Sequence, residues 1–125
     1  MKLTQGFVRE LISYNSYTGA MTWRTRDRKW FSSDGAWKRW NKRYAGTPAF
    51  TYIVRGYRWG CIFNNNFLAH RVVWVYVHGR LPTAIMFRDS DGTNLKLDNL
   101  VERKAGRLPQ VTIKRGPRER LPLAA

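Results

Sequence analysis

Arg88-Asp89-Ser90-Asp91-Gly92 sets two carboxylates two positions apart beside a guanidinium, and Asp98 and Asn99 follow closely. Three of the eight acidic residues of this basic chain fall between positions 89 and 98. Two chemistries are open to such a cluster. Hard oxygen donors can hold a Mg²⁺ ion, which prefers octahedral oxygen ligation anchored by one or two carboxylates, and Asp89 and Asp91 are the residues to supply them. A carboxylate can also take a proton, but an unperturbed Asp titrates near pH ~3.9, so Asp89 is an inefficient base at neutral pH unless burial raises it. Arg88 opposes the metal by repulsion. It suits a phosphate oxygen instead, to which a guanidinium gives charge-assisted hydrogen bonds.

The charge of the whole chain favours phosphate binding. With 23 Lys and Arg against 8 Asp and Glu, the net charge is +15, more than solubility requires and indicative of a polyanionic partner. Nucleic acid comes first. No run approaches the ~18 apolar residues of a spanning helix, which excludes a transmembrane role. "MKLTQGFVRELI" lacks the apolar stretch and cleavage site of a secretory signal, so a cytoplasmic location is expected. Cys61 is the single cysteine, which excludes an internal disulfide and a Cys-based zinc knuckle, and a buried place in a strand is expected for it. His70 and His78 have no acidic or cysteine partners at ligand spacing, so neither a zinc site nor a Ser-His-Asp arrangement is built from them.

The elements that must position these residues can be read in turn. Thr4 stands at an N-cap before Phe7, Val8, Leu11 and Ile12 at helical spacing, which predicts a short N-terminal helix. "NSYTGAMTW" predicts a turn and an extended segment. In "RTRDRKWFSSDGAWKRWNKRY" eight basic residues, Arg24, Arg26, Arg28, Lys29, Lys38, Arg39, Lys42 and Arg43, alternate with aromatics. Its second half predicts a helix with Trp37, Trp40 and Tyr44 on one face and most of the cations on the other. Trp30, Phe31 and Trp37 suit either packing or stacking on nucleic acid, whereas Trp23, Trp59 and Trp74 are expected in the core.

"GYRWGCIFNNNFL" predicts a hairpin about an Asn-rich turn. "RVVWVYVHG" predicts a buried helix closed by Gly79, with His78 favourable to its dipole, and "AIMF" a strand. "NLKLDNLVERKAG" has helical spacing through Leu95, Leu97 and Leu100. From Arg103 on, seven Lys and Arg with three Pro predict a basic, mobile tail. Residues 1–102 are thus expected as one domain and 103–125 as the tail.

Several of these pieces together resemble the HNH endonuclease family, in particular its small phage-encoded type. The likeness begins at "LISYNSYTGAMTWRTR", similar to that type's "LxYDPxTGxxxWR", continues through "YAG", "GYRWGCI" and "AHRVVWVYVHGRLP", and ends near Glu102 after "DG" and "DNL". The resemblance implies an α+β domain with a ββα-metal core, a hairpin plus helix in which a divalent cation and a histidine cut DNA. It also implies where the parts fall. The family's strand ends in Asp-His-x-Asp-Gly. Arg88 stands at the metal-binding acid, Asp89 at the histidine that acts as general base, Asp91 and Gly92 at the following turn, and Asn99 at the Asn that ties the loop. The last metal ligand falls on Leu108. His70 matches the "AHR" histidine and is open to a phosphate contact or to a structural role.

The expected function is that of a DNA-binding protein of the HNH type, in the cytoplasm of a bacterial host, with its nuclease chemistry lost or strongly altered and no cofactor. Affinity is assigned to the basic segment 24–43, His70, Arg71, Arg88 and the tail. Two other readings stand beside it. One is an active nicking enzyme with Mg²⁺ on Asp89 and Asp91. The other is an inhibitor whose basic surface occupies an acidic bacterial host protein.

Overall fold

The computed structural model describes residues 2–103; the expected tail beyond Arg103, with Leu108, lies outside them. Helix α1 (Gln5–Leu11) starts at Thr4, whose hydroxyl accepts from the Phe7 amide, and buries Val8 and Leu11. Strands β1 (Ile12–Tyr14) and β2 (Met21–Trp23) pair antiparallel across the turn at 15–20. A 3₁₀ turn at Arg28–Trp30 leads into α2 (Asp34–Tyr44), capped by the Ser33 hydroxyl. Strands β3 (Tyr52–Val54), β4 (Tyr57–Ile62) and β5 (Asn65–Leu68) form an antiparallel meander, and α3 (Ala69–His78) follows at once. Strands β6 (Ile85–Phe87) and β7 (Leu100–Glu102) make the last hairpin. The result is a small α+β assembly of three helices and three small sheets among the described residues.

Helix α3 is the centre of the core. Val72, Val73 and Val75 are fully buried, each contributing about 1.5–3 kcal/mol by leaving water. The helix ends at Gly79, in the left-handed conformation (φ 80°) that glycine adopts without steric cost. Its last carbonyls are capped from α1: Gln5 donates to the Tyr76 carbonyl (3.1 Å) and the Val77 carbonyl (3.3 Å), and Arg9 to that of Tyr76 (2.9 Å). The expected central hairpin is present, turning on Phe63 and Asn64 at positive φ.

Two expectations are corrected. The segment from Asn94 to Gly106 is not a helix where it is described: a 3₁₀ turn at Leu97–Asn99 runs into β7, because Leu100, Val101 and Glu102 pair with Phe87, Met86 and Ile85. Long-range pairing overrode the helical spacing of Leu95, Leu97 and Leu100, a spacing that also lets Leu95 and Leu100 reach the core from irregular backbone. Cys61 is exposed on β4 rather than buried. Of the tryptophans expected inside, Trp74 is buried, whereas Trp23 and Trp59 are half-buried. No helix among the described residues is long and apolar enough to cross a membrane.

The β1–β2 turn buttresses the segment that carries the acidic cluster. Tyr14 donates its hydroxyl to the Leu95 carbonyl (2.6 Å), and the Leu97 amide donates to the Ser16 carbonyl (3.0 Å). Burial pushes the Tyr14 phenol up to about 12, which keeps it a donor. Gly19 sits at φ +79°, and a Cβ there would lie 2.8 Å from the backbone of Leu95 and Lys96. Gly19→Ala is therefore expected to lower the unfolding free energy by about 1–3 kcal/mol in urea titration; an unchanged midpoint would show that this contact does not restrain the loop.

Candidate functional site

The loop from Arg88 to Asn99 connects β6 to β7 and is organised by one buried amide. Asn99 is only 6% exposed. Its Oδ1 accepts from the Asp89 amide (3.0 Å), and its Nδ2 donates to the Asn94 carbonyl (2.9 Å), so one side chain holds both limbs of the loop. The Arg88 amide donates to the Asn99 carbonyl (2.9 Å), which continues the hairpin ladder into the loop. Gly92 is buried because the loop rests on the β3–β4 turn; any Cβ there would collide with the Gly56 carbonyl and the Tyr57 ring.

Within this frame the carboxylates are turned inward on the loop itself. Asp89 Oδ1 accepts from the Asp91 amide (2.8 Å) and Oδ2 from Asn94 Nδ2 (2.7 Å). Those contacts, the Asn94 amide first and the Asp91 N–H next, hold the Asp89 carboxyl below its ordinary range. Asp91 Oδ1 accepts from both the amide (2.9 Å) and the hydroxyl (2.6 Å) of Thr93. Arg88 donates from Nε to the Asp98 carbonyl (2.7 Å) and not to Asp89 or Asn99 side chains, which leaves the guanidinium exposed. Asn94 and Thr93 were not singled out from the sequence. Their position two to five residues after an Asp is the signal of side-chain-closed turns.

Residues 67–108 match the family described as HNH endonuclease. The match covers about a third of the chain, and over that stretch the chain is similar to HNH endonucleases. It takes in the end of β5, α3 and the β6–β7 hairpin, with residues 104–108 outside the described part. No curated protein and no solved structure matches the chain significantly. HNH domains commonly use a divalent cation, and the donor set here does not fit one. Both oxygens of Asp89 and one of Asp91 are engaged by donors, an exposed cation stands next to them, and no group of three or more His, Cys, Asp or Glu is clustered among the described residues. We derive no metal-dependent step for this loop.

His70 opens α3 of the HNH segment, against Phe87 (ring centroids 5.0 Å) and Tyr57 (5.7 Å). It is 1% exposed, and its Nδ1 has no partner among the described residues. Burial first, then the charge of Arg71, push its pKa down to about 4, so it is neutral at pH 7. Its place is between the Phe87 and Tyr57 rings, away from solvent.

The basic segment divides. Lys38, Arg39, Lys42 and Arg43 are exposed on α2, as the helical spacing predicts. Arg28 pairs with Asp34 and Lys29 with Glu10 (3.2 Å), and Arg24 donates to the Arg9 carbonyl (2.6 Å), with Arg24 and Lys29 still exposed. Arg71 is half-buried in a cleft of ≈ 650 Å³ with Lys2 and Trp59. Arg26 differs from the others in its surroundings: it is 6% exposed, with its guanidinium carbon 3.9 Å from the Trp40 ring, 4.7 Å from that of Phe63 and 5.2 Å from that of Trp23. The aromatics around it are structural as well. Trp37 donates to the Arg26 carbonyl (2.8 Å) and Trp30 to Glu10 (2.9 Å), so neither is a free wedge.

Two outcomes are expected. Asn99→Ala strands the Asp89 amide and the Asn94 carbonyl, and should cost about 2–4 kcal/mol in urea unfolding, with faster amide exchange at Asp89. The second concerns His70, whose folded pKa is depressed from 6.5 to about 4. The unfolded chain binds this proton first as pH falls, so the contribution is whole above pH ~6.5 and is lost progressively down to ~4, amounting to about 3 kcal/mol. The urea midpoint of His70→Leu should lack that pH dependence between 6.5 and 4.5, whatever its absolute stability.

Proposed function

We propose that the protein binds duplex DNA through phosphates, with Arg88 occupying the centre of an HNH frame whose cutting chemistry is absent. One observation carries the reading. The residue at the family's base position, Asp89, has both carboxylate oxygens engaged by the loop's own donors and a lowered pKa, beside a guanidinium that Asp98 orients outward. A general base works best with a pKa near the working pH, and the hydrogen bonds to this carboxylate move its pKa the other way. A cation in place of an acid favours the opposite ligand, an anionic oxygen. Arg88 therefore places a positive charge where the family places one by other means, and it does so without a metal.

The exposed face of α2 supplies the remaining charge. Lys38, Arg39, Lys42 and Arg43 carry no side-chain carboxylate partner among the described residues, so they are open to phosphate. A surface of this kind binds by counterion release and without base readout, so affinity should fall steeply with salt, at about 0.9 of a counterion per neutralised phosphate.

The test is a titration of wild type and Arg88→Ala with a mixed-sequence duplex at one fixed salt concentration, alongside a plasmid-nicking assay in Mg²⁺ or Mn²⁺. Arg88→Ala should bind about tenfold more weakly, the loss of one charge-assisted contact worth about 1.5 kcal/mol, and neither protein should nick above background. An Arg88→Ala affinity within twofold of wild type would remove Arg88 from the interface, and divalent-dependent nicking abolished by Asp89→Ala would return the loop to catalysis.

A further inference from the structure

A second cleft, ≈ 740 Å³, opens between α2 and the β3–β4 strands, lined by Trp40, Tyr44, Tyr52 and Trp59 with Arg26 among them. Two of these rings are turned to solvent, Tyr52 at 70% exposure and Tyr44 at 38%, and Tyr52 stands opposite Trp59 across the β3–β4 ladder. Tyr44 is already flanked by the Trp40 ring (5.3 Å) and the Arg43 guanidinium (5.3 Å), whereas no ring of the described residues covers Tyr52, and a ring face left in water invites another flat apolar surface.

Arg26 adds an independent sign of a ligand. It is 94% buried by its 6% exposure, pairs with no carboxylate among the described residues, and its Nε has no acceptor. The rings of Trp40, Phe63 and Trp23 lie near its carbon and offset the charge. They do so through their faces. The N–H donors of a guanidinium radiate in its own plane, in a fork that matches carboxylate or phosphate oxygens. A buried guanidinium N–H without an acceptor, as at Arg26 Nε, is costly unless something completes it. No acidic side chain lines the cleft, and Lys42 and Arg43 stand exposed on the last turn of α2 beside Tyr44. An anion is therefore favoured there, and one that carries a flat ring fits the aromatic wall.

We propose that this cleft is a subsite for an unpaired nucleotide of single-stranded DNA, with a phosphate at the Arg26 guanidinium and the base stacked on Tyr52. The proposal rests on the DNA-binding reading above and extends it, because the bases of an intact duplex are already stacked on one another and present no face to these rings. Base-on-aromatic stacking works with any base, so the subsite selects for single-strandedness rather than sequence. The strand would leave the cleft along the cations of α2.

The full chain is tested with a short oligothymidylate and with a blunt mixed-sequence duplex at the same salt. Tyr52 is exposed, so Tyr52→Ala does not threaten the fold; it should weaken oligothymidylate binding about tenfold and duplex binding less than twofold. Cys61, the single cysteine, is exposed in the same cleft and gives a second readout. Saturating oligothymidylate should slow its alkylation by N-ethylmaleimide, and saturating duplex should not. If Tyr52→Ala leaves oligothymidylate affinity unchanged, or both ligands protect Cys61 equally, the subsite is overturned while duplex binding stands. Loss of duplex binding with oligothymidylate binding intact would overturn the duplex reading alone, and absence of both would overturn both.

Discussion

The buried amide of Asn99 is the constraint on which the β6–β7 loop depends. The connection from Arg88 to Asn99, with only a 3₁₀ turn at its end, must find partners for its backbone groups, and the loop finds them by closing on itself. Asn99 supplies an acceptor to one limb and a donor to the other, something a carboxylate or a hydrophobic residue of the same size could not do together. Around that clamp, Asp89 and Asp91 close short turns with their own side chains, and Gly92 allows the loop to lie on the β3–β4 turn. The loop is thus held by polar groups at its centre and by packing at its edge.

The same arrangement shows what holds the stretch that is similar to HNH endonucleases. The frame is maintained by Asn99, by the β6–β7 pairing and by α3, none of which requires a histidine or a metal ligand at positions 88 and 89. Glu102, at the end of β7, adds a further tie: it accepts from Arg80 through both oxygens (2.8 and 2.7 Å) and from the Thr83 amide (2.9 Å), fixing the α3–β6 connection. Positions 88 and 89 are exposed, so substitutions there change chemistry with little effect on packing.

Arginine serves two opposite ends in this molecule, and burial distinguishes them. Arg88 is exposed and held by one carbonyl, so its charge faces outward. Arg26 is enclosed by three rings, and burial pushes its pKa down to about 10, which still leaves it charged at neutral pH. Sequence treats both as members of basic clusters. Only their surroundings separate a surface cation from one that organises α2 against the body of the protein, where the Arg26 carbonyl also accepts from Trp37 and Asn41.

What the sequence alone determined is what short-range rules govern. Thr4 and Ser33 as caps, Gly79 as a helix end, the Asn-rich hairpin turn, the amphipathic face of α2 and the apolar run of α3 were all legible, because each depends on residues within a turn or two. Tertiary structure decided the rest. Leu95, Leu97 and Leu100 keep helical spacing, yet the pairing of Leu100–Glu102 with Ile85–Phe87 across the loop fixed the segment as a turn and β7. Cys61, Arg26 and His70 have ordinary types and neighbours; whether each is exposed, caged or neutral follows from elements distant in sequence, and no local pattern encodes that.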